Sequence, residues 1–256
     1  MNPCYSLDIY YSTFSPYYAN RGNIMNECRL ELPQATIEYP YALPEKQHLL
    51  VIGGRPPAVE WLRQAAVGRI PWAIDHGIDI CKKAGIRPEH LLGDRDSASR
   101  EAWEWGSSFS SATDTYPSEK DFTDTQLALE KLPPTAFAIV TGAFGGRFDH
   151  AFANIFSCAN AKPSCCLADE QELLVFLKGD MEIQVTCQQE PLAISLLPLS
   201  AECSGVTISG VHWPLKDATL HQHMPNTISN VPEGKKRFPV ALKRGILGIY
   251  LCFCSP

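Results

Sequence analysis

The stretch Ala136-Phe137-Ala138-Ile139-Val140, followed by Gly142-Ala143-Phe144-Gly145-Gly146-Arg147-Phe148-Asp149-His150, decides the fold. Its first segment is apolar and has the length of a buried strand, and apolar residues at helical spacing follow its second segment. A strand that passes through a glycine-rich loop into a helix is the building unit of an α/β fold. The stretch therefore predicts a parallel sheet covered by helices.

The same unit recurs through the first two thirds of the chain. Apolar runs predict further strands at 49–52, 70–74, 90–92 and 165–168, with amphipathic segments between them. Thr123 and Gln126 form a capping box for one predicted helix, and Asp149 is predicted to cap the next. This alternation predicts a doubly wound, mostly parallel α/β domain.

The pattern changes after about residue 170. Short apolar segments follow one another there without helical spacing, and turns are predicted at 178–180 and 243–245. These segments predict an all-β part, most simply a β-sandwich. We therefore predict three parts, which are an N-terminal extension at 1–46, the α/β domain at 47–169 and the β-sandwich domain at 170–256.

The composition excludes several classes of protein. The 256 residues are 45% hydrophobic, so the chain can bury a core in each domain, and its net charge of -6 argues against nucleic acid as a partner. No apolar run reaches the roughly 18 residues that a membrane span needs, and the first residues do not resemble a signal peptide. The ten cysteines are scattered without a CxxC pair, which favours reduced thiols. We expect a cytoplasmic protein without a membrane partner.

Acidic residues follow two predicted strands and open one predicted helix. Asp94 and Asp96 are two positions apart at one strand end, and Asp75 ends the preceding strand. Carboxylates on one edge of a parallel sheet suit Mg²⁺, which takes few carboxylates and completes its shell with water and phosphate oxygens. A lone Asp-x-Asp is more often a solvated turn. Asp121 and Asp124 lie at a helix start, where acidic residues are also common because of the helix dipole alone.

The glycine loop has the features of an anion site. Gly142, Gly145 and Gly146 lead from a strand into a helix, and Arg147 lies at the helix start. Small residues there let backbone N–H groups approach an anion, and an arginine can clamp phosphate. The loop is neither a Walker A motif nor a complete dinucleotide fingerprint, so by itself it does not identify the ligand.

Three motifs in succession resemble those of the thiamine pyrophosphokinase family. They read Gly93-Asp94-x-Asp96-Ser97, Pro117-x-Glu119-Lys120-Asp121-x-Thr123-Asp124, and Gly142-Ala143-x-Gly145-Gly146-Arg147-x-Asp149-His150 with Asn154. Segments of the all-β part are similar to the same family, and they read Ser195-Leu196-Leu197-Pro198-Leu199, Gly205-Val206-Thr207, Gly210-Val211-x-Trp213-Pro214-Leu215 and Ile228-Ser229-Asn230. The resemblance runs from about residue 49 to the C-terminus.

The resemblance implies an enzyme that uses ATP and Mg²⁺ to convert thiamine into thiamine diphosphate and AMP. It also implies a homodimer in which thiamine lies between the α/β domain of one subunit and the sandwich of the other. Carried over position by position, the catalytic residues are Asp75, Asp94, Asp96 and Asp124, the first three also being metal ligands. The ATP and phosphate residues are Lys120, Asp121, Gly142, Gly145, Gly146, Arg147 and Asp149. The thiamine residues are Trp213, Ser229 and Asn230.

Two positions depart from the family pattern. His76 stands where the family has glycine after the first aspartate, and Arg95 stands where an aromatic residue is usual between the next two. These departures keep two alternatives open, namely a nucleotide- or thiamine-binding sensor without turnover and a pyrophosphokinase for another alcohol. Trp213 can also be a core tryptophan on a strand.

Overall fold

The structure is a computed structural model that describes residues 28–94, 98–115, 121–234 and 236–254. Its strands are β1 (Arg29–Glu31), β2 (Ala35–Glu38), β3 (His48–Val51), β4 (Ile70–Ile74), β5 (His90–Gly93), β6 (Ala112–Thr115), β7 (Phe137–Thr141), β8 (Ser164–Ala168), β9 (Glu172–Lys178), β10 (Met181–Cys187), β11 (Ala193–Pro198), β12 (Glu202–Ile208), β13 (Leu215–His221), β14 (Arg237–Leu242) and β15 (Ile246–Cys252). Its helices are α1 (Val59–Ala66), α2 (Gly77–Ala84), α3 (Arg100–Ser107), α4 (Asp124–Lys131) and α5 (Phe148–Asn160).

A nine-stranded sheet runs in the order β11-β15-β9-β8-β7-β3-β4-β5-β6. The strands from β8 to β6 are parallel, whereas β9, β15 and β11 join them antiparallel. The parallel strands all end at one edge of the sheet, which we call the rim together with the loops that follow them. Ligands of doubly wound sheets bind outside the carboxyl ends of the strands, so the rim is the expected place for a site.

Short-range signals in the sequence account for the helix ends. The capping box that Thr123 and Gln126 predict is present at α4, where each side chain bonds the backbone of the other residue. α2 ends at Gly85, which adopts a left-handed conformation with φ 71°. Buried residues of α1, α2 and α3 pack on one face of the nine-stranded sheet, and those of α4 and α5 pack on the other. The doubly wound arrangement is therefore confirmed.

A second, six-stranded sheet runs in the order β1-β2-β10-β14-β12-β13 and is antiparallel throughout. Its apolar face shares one core with β9, β11 and β15, through residues such as Val185 and Phe238 on one side and Val175 and Ile249 on the other. Two sheets packed face to face around such a core form a sandwich. The predicted fold class, α/β with a C-terminal β-sandwich, is confirmed.

The hydrogen-bonded sheets cross both predicted domain boundaries. β9, β11 and β15 come after residue 170 yet extend the α/β sheet, while β1 and β2 come before residue 46 yet belong to the second sheet. The division at 1–46, 47–169 and 170–256 stays a prediction. Within the part of the chain that the structure describes, no helix is long and apolar enough to cross a membrane.

Candidate active site

Two of the predicted metal carboxylates lie at adjacent strand ends on the rim. Asp75 follows β4 and Asp94 follows β5, and the backbone N–H of Asp75 donates to the carbonyl oxygen of Leu92 over 2.9 Å. The Asp75 carboxylate reaches Gly93 so closely that a Cβ atom built there would lie 2.2 Å from its Oδ1 atom. Asp75 also has a positive φ of 50°, an unfavourable conformation that is often found at functional sites. Asp96 lies outside the described residues.

This arrangement suits a magnesium ion shared with phosphate. Asp75 and Asp94 offer hard oxygen ligands from neighbouring strand ends, and Mg²⁺ typically takes one or two carboxylates together with phosphate oxygens. Among the described residues, no three His, Cys, Asp or Glu side chains form a group that could hold a metal. Two carboxylates from neighbouring strand ends fit Mg²⁺ that completes its shell with phosphate oxygens and water.

α4 brings its own acidic residues to the same rim. The helix packs against β4 and β5, and it begins at Asp124, directly after the Thr123 cap. A helix that follows a strand in an α/β unit starts near the carboxyl ends of the parallel strands. Asp124 and the exposed Asp121 therefore lie at the rim. Lys120, predicted to contact phosphate, lies outside the described residues.

The glycine loop after β7 lies in backbone contact with the loop after β3. The N–H of Gly54 donates to the carbonyl oxygen of Gly142 and the N–H of Arg55 donates to that of Phe144, both over 2.8 Å. Gly142 has φ 72°, and a Cβ atom on it would lie 2.1 Å from the carbonyl oxygen of Ile52, so this position requires glycine. Gly53 and Gly54 of this second loop were not among the predicted site residues. A glycine pair at the end of the first parallel strand was the available signal for a second rim loop.

Arg147 is paired with an acidic residue at the start of α5. Its Nη2 and Nε atoms donate to the two carboxylate oxygens of Asp149 over 2.5 and 3.1 Å, and both side chains are exposed. This bond raises the pKa of Arg147 and lowers the pKa of Asp149. The prediction that Asp149 caps α5 is wrong, because the N-cap is Arg147 and Asp149 belongs to the first turn. An exposed arginine with an exchangeable partner remains able to bind phosphate.

The three predicted thiamine residues form one cluster. The side chain of Asn230 accepts from the N–H of Trp213 over 3.1 Å and donates to its carbonyl oxygen over 2.8 Å. The N–H of Ser229, whose φ is 59°, donates to the buried Ser195 hydroxyl over 3.0 Å. The Trp213 side chain is 60% exposed, so it is a surface residue and not a core tryptophan. The bonds to Asn230 fix the backbone of Trp213, and its exposed indole can stack on an aromatic ligand.

This cluster lies far from the acidic residues of the rim within one chain. Asn230 bonds the backbone of Ile194 on β11, the outermost strand of the nine-stranded sheet. Because β11 is antiparallel to β8, its first residues lie at the rim end. Six steps between neighbouring strands separate β11 from β4, which at roughly 4.8 Å each gives about 29 Å along the sheet. The structure therefore does not bring Trp213 and Asp75 of one chain together.

Fold and site define a class of protein, namely an α/β protein with a polar, glycine-lined rim for a ligand and an added β-sandwich. Two family models match the chain, "Thiamin pyrophosphokinase, catalytic domain" at residues 67–167 and "Thiamin pyrophosphokinase, vitamin B1 binding domain" at residues 181–247. The chain belongs to the thiamine pyrophosphokinase family. This confirms the family that the motifs predicted and the expectation that the chain is an enzyme of that family.

Individual relatives agree with the family models. A thiamine pyrophosphokinase of Bacillus subtilis is 29% identical over 165 residues, which are 61% of this chain and 75% of that protein. Thiamine pyrophosphokinase 1 of Oryza sativa is 25% identical over 57% of this chain and 60% of its own length, so the chain spans less than two thirds of that relative. Crystal structures support the fold. The Bacillus subtilis enzyme gives a TM-score of 0.68 at 22% identity, covering 82% of this chain and all of the other. The Candida albicans enzyme gives 0.65 at 15% identity, covering 81% and 90%.

Proposed function

We propose that the chain transfers a pyrophosphate group from ATP to the hydroxyl group of thiamine, giving thiamine diphosphate and AMP. The hydroxyl oxygen forms a bond to the β-phosphorus, the bond from that phosphorus to the oxygen bridging to the α-phosphorus breaks, and AMP leaves. The hydroxyl proton passes to a rim carboxylate or to water. The observation that carries the proposal is that two family models match the chain in order, the catalytic-domain model at residues 67–167 and the vitamin B1 binding model at residues 181–247.

The rim residues have separate tasks in this reaction. Asp75 and Asp94, with Asp96, would hold Mg²⁺, which supplies charge neutralisation on the phosphate oxygens when it is bound. Gly142, Gly145 and Gly146 with Arg147 bind the phosphate groups, while Lys120, Asp121, Asp124 and Asp149 line the nucleotide side. Positioning of the two substrates provides most of the rate, because the transferred group needs little covalent help from the protein.

The active species in this proposal is a homodimer with composite sites. Trp213, Ser229 and Asn230 of one subunit bind thiamine opposite the rim of the other subunit. The separation of about 29 Å along the sheet within one chain supports this arrangement, since one small substrate cannot span it. The exposure of Trp213 supports it as well, because a tryptophan that binds a ligand between two subunits faces outward from its own chain.

Product analysis tests the proposal directly. The full chain is incubated with thiamine, ATP and Mg²⁺, and the products are identified by mass spectrometry. Thiamine diphosphate with an equal amount of AMP is the expected result. Release of ADP contradicts pyrophosphate transfer, and tight binding of thiamine without turnover identifies a sensor. AMP release only with a different alcohol identifies another pyrophosphokinase.

A further inference from the structure

Arg55 is held at the rim by a network of acidic side chains that the proposed reaction does not use. Its Nη2 and Nε atoms donate to Asp169 Oδ2 over 2.6 and 3.2 Å, and Nη2 also donates to Glu172. Asp169 is fully buried, and its other oxygen accepts from the backbone N–H groups of Gln171 and Glu172. The hydroxyl group of Tyr250 donates to Glu172. Both oxygens of the buried Asp169 carboxylate therefore accept hydrogen bonds. A buried ion pair is stable when its charged groups are hydrogen-bonded in this way.

Arg55 keeps its positive charge and Tyr250 keeps its hydroxyl proton in this network. Burial would lower the pKa of Arg55, but its bonds to Asp169 and Glu172 outweigh burial and raise that pKa. Burial and the bond to Glu172 raise the pKa of Tyr250, so its hydroxyl group stays a donor. Arg55 is therefore a permanent cation fixed between two elements, because Asp169 follows β8 and Glu172 begins β9.

Arg55 is also in direct contact with the glycine loop. Its backbone N–H bonds the carbonyl oxygen of Phe144, and a Cβ atom built on Gly145 would lie 2.9 Å from the Arg55 Cβ atom. The segment that follows is anchored to the same turn, since the N–H of Ala58 donates to Glu170 over 2.8 Å. The carbonyl groups of Gly142 and Phe144 are thus engaged by residues 54 and 55, and the shape of the glycine loop depends on where Arg55 is held.

We propose that Arg55 is a positioning residue whose ion pairs with Asp169 and Glu172 hold the Gly142–Gly146 loop in the conformation that binds the phosphate groups of ATP. The inference rests on the proposed function, because it assumes that this loop is the phosphate site. Arg55 acts through the loop backbone, so its loss affects ATP and leaves thiamine recognition at Trp213 unchanged.

The test compares Arg55→Lys with Arg69→Lys in the full chain. Lysine keeps the charge at Arg55 but loses the two-pronged bond to the carboxylate. Arg69 is a matched control at the opposite end of the sheet, where it bonds Gln47 and the carbonyl oxygens of Ala65 and Glu31. Binding of Mg²⁺–ATP is measured by calorimetry, KM and kcat are measured for both substrates, and the thermal midpoint is recorded for each variant.

We expect Arg55→Lys to raise the Kd and KM for ATP by about tenfold, the scale of one lost charge-assisted hydrogen bond, with the KM for thiamine unchanged. Arg69→Lys should change neither constant. Tyr250→Phe, which removes the hydroxyl group that bonds Glu172 and leaves Arg55 in place, should shift the ATP constants less but in the same direction. It replaces Arg55→Lys as the deciding variant if the latter does not fold.

The inference is overturned if the two arginine variants lose the same amount of thermal midpoint and have the same Kd and KM for ATP. Arg55 is then a purely structural residue. A parallel rise in the KM for thiamine would overturn it too. If the wild-type chain neither binds ATP nor forms thiamine diphosphate, the proposed function itself has failed, and the wild-type measurement alone shows this.

Discussion

At the scale of single residues, Asp94 gives the sharpest test of the metal assignment. Asp94→Asn keeps the side-chain volume and removes one charged oxygen ligand, so we expect thiamine diphosphate formation to fall to background while the thermal midpoint is retained. Asp180→Asn in the exposed turn after β9 is the matched control and should be fully active. Wild-type activity in Asp94→Asn would remove this residue from the metal site.

Arg147 is predicted to matter for ATP and not for stability. Arg147→Ala should raise the KM for ATP, whereas its exposed pair with Asp149 should contribute little to the free energy of unfolding, because water screens exposed ion pairs. Arg100→Ala breaks another exposed pair, with Glu104 on α3, and serves as the control. A lowered thermal midpoint in Arg147→Ala alone, with unchanged ATP kinetics, would show that Arg147 is a structural residue.

Rim residues could be predicted from their positions at strand ends, but the contacts between their side chains could not. Asp75 and Asp94 were predictable, because each ends an apolar run that a parallel sheet aligns with its neighbours. The bond between Arg55 and Asp169 joins residues 114 positions apart, and no local pattern reports such a contact. Asp149 looked like a helix cap, yet its carboxylate bonds Arg147 instead.

At the scale of elements, three strands that lie at sheet edges have no clear signal in the sequence. β6 and β13 each lie at one edge of a sheet, as does β1. Edge strands bury fewer side chains, and β6 (Ala-Thr-Asp-Thr) and β13 accordingly carry polar residues without an apolar run. α3 was missed as well, although Ser99 caps it and its Trp103 is buried. Central strands were predictable because burial on both faces gives continuous apolar runs.

Two histidines at the amino ends of β3 and β5 make stability depend on pH. Trp72 lies between them, donating through Nε1 to His48 Nδ1 over 3.0 Å and stacking on His90 at 3.9 Å. Burial lowers the pKa of both histidines. The negative charge of Glu89 opposes this effect at both residues, and that of Asp114 opposes it at His90. The positive charge of Lys131 lowers the pKa of His90 further. The unfolded chain therefore binds more protons than the folded chain as the pH falls below about 6.5, the ordinary histidine value.

We expect the free energy of unfolding to decrease as the pH falls from about 6.5 through the lowered pKa values of His48 and His90. Urea unfolding at a series of pH values measures it. His48→Gln with His90→Gln should flatten the curve in this window, whereas His223→Gln, at an exposed position, should leave the slope as it is. An unchanged slope in the double variant would assign the pH dependence to other groups.

At the scale of the whole molecule, composite sites predict complementation between inactive chains. An Asp94→Asn chain mixed with a Trp213→Ala chain forms heterodimers with one intact site and one doubly damaged site. With random pairing, free exchange and independent sites, activity should recover to about a quarter of wild type.

The complementation experiment needs two controls. Each parent must be inactive alone, and native mass spectrometry must show heterodimers in the mixture. Mixing Asp94→Asn with Asp75→Asn, two lesions on the same side of the site, should restore nothing. Parental activity in the first mixture despite demonstrated heterodimers would mean that each thiamine site is built within one chain.

The position of β15 between β9 and β11 has a consequence for how the chain is made. Both of its partners leave the ribosome before it does, because β9 and β11 precede β15 in the chain. Until residues 246–252 arrive, β9 and β11 each keep an unpaired edge, and such edges invite aggregation of nascent chains. We expect a chain that stops at residue 245 to aggregate, and a synthetic peptide of residues 246–254 supplied during refolding to rescue it. Soluble, natively folded protein from the shortened chain alone would show that β9 and β11 do not need β15 to avoid aggregation.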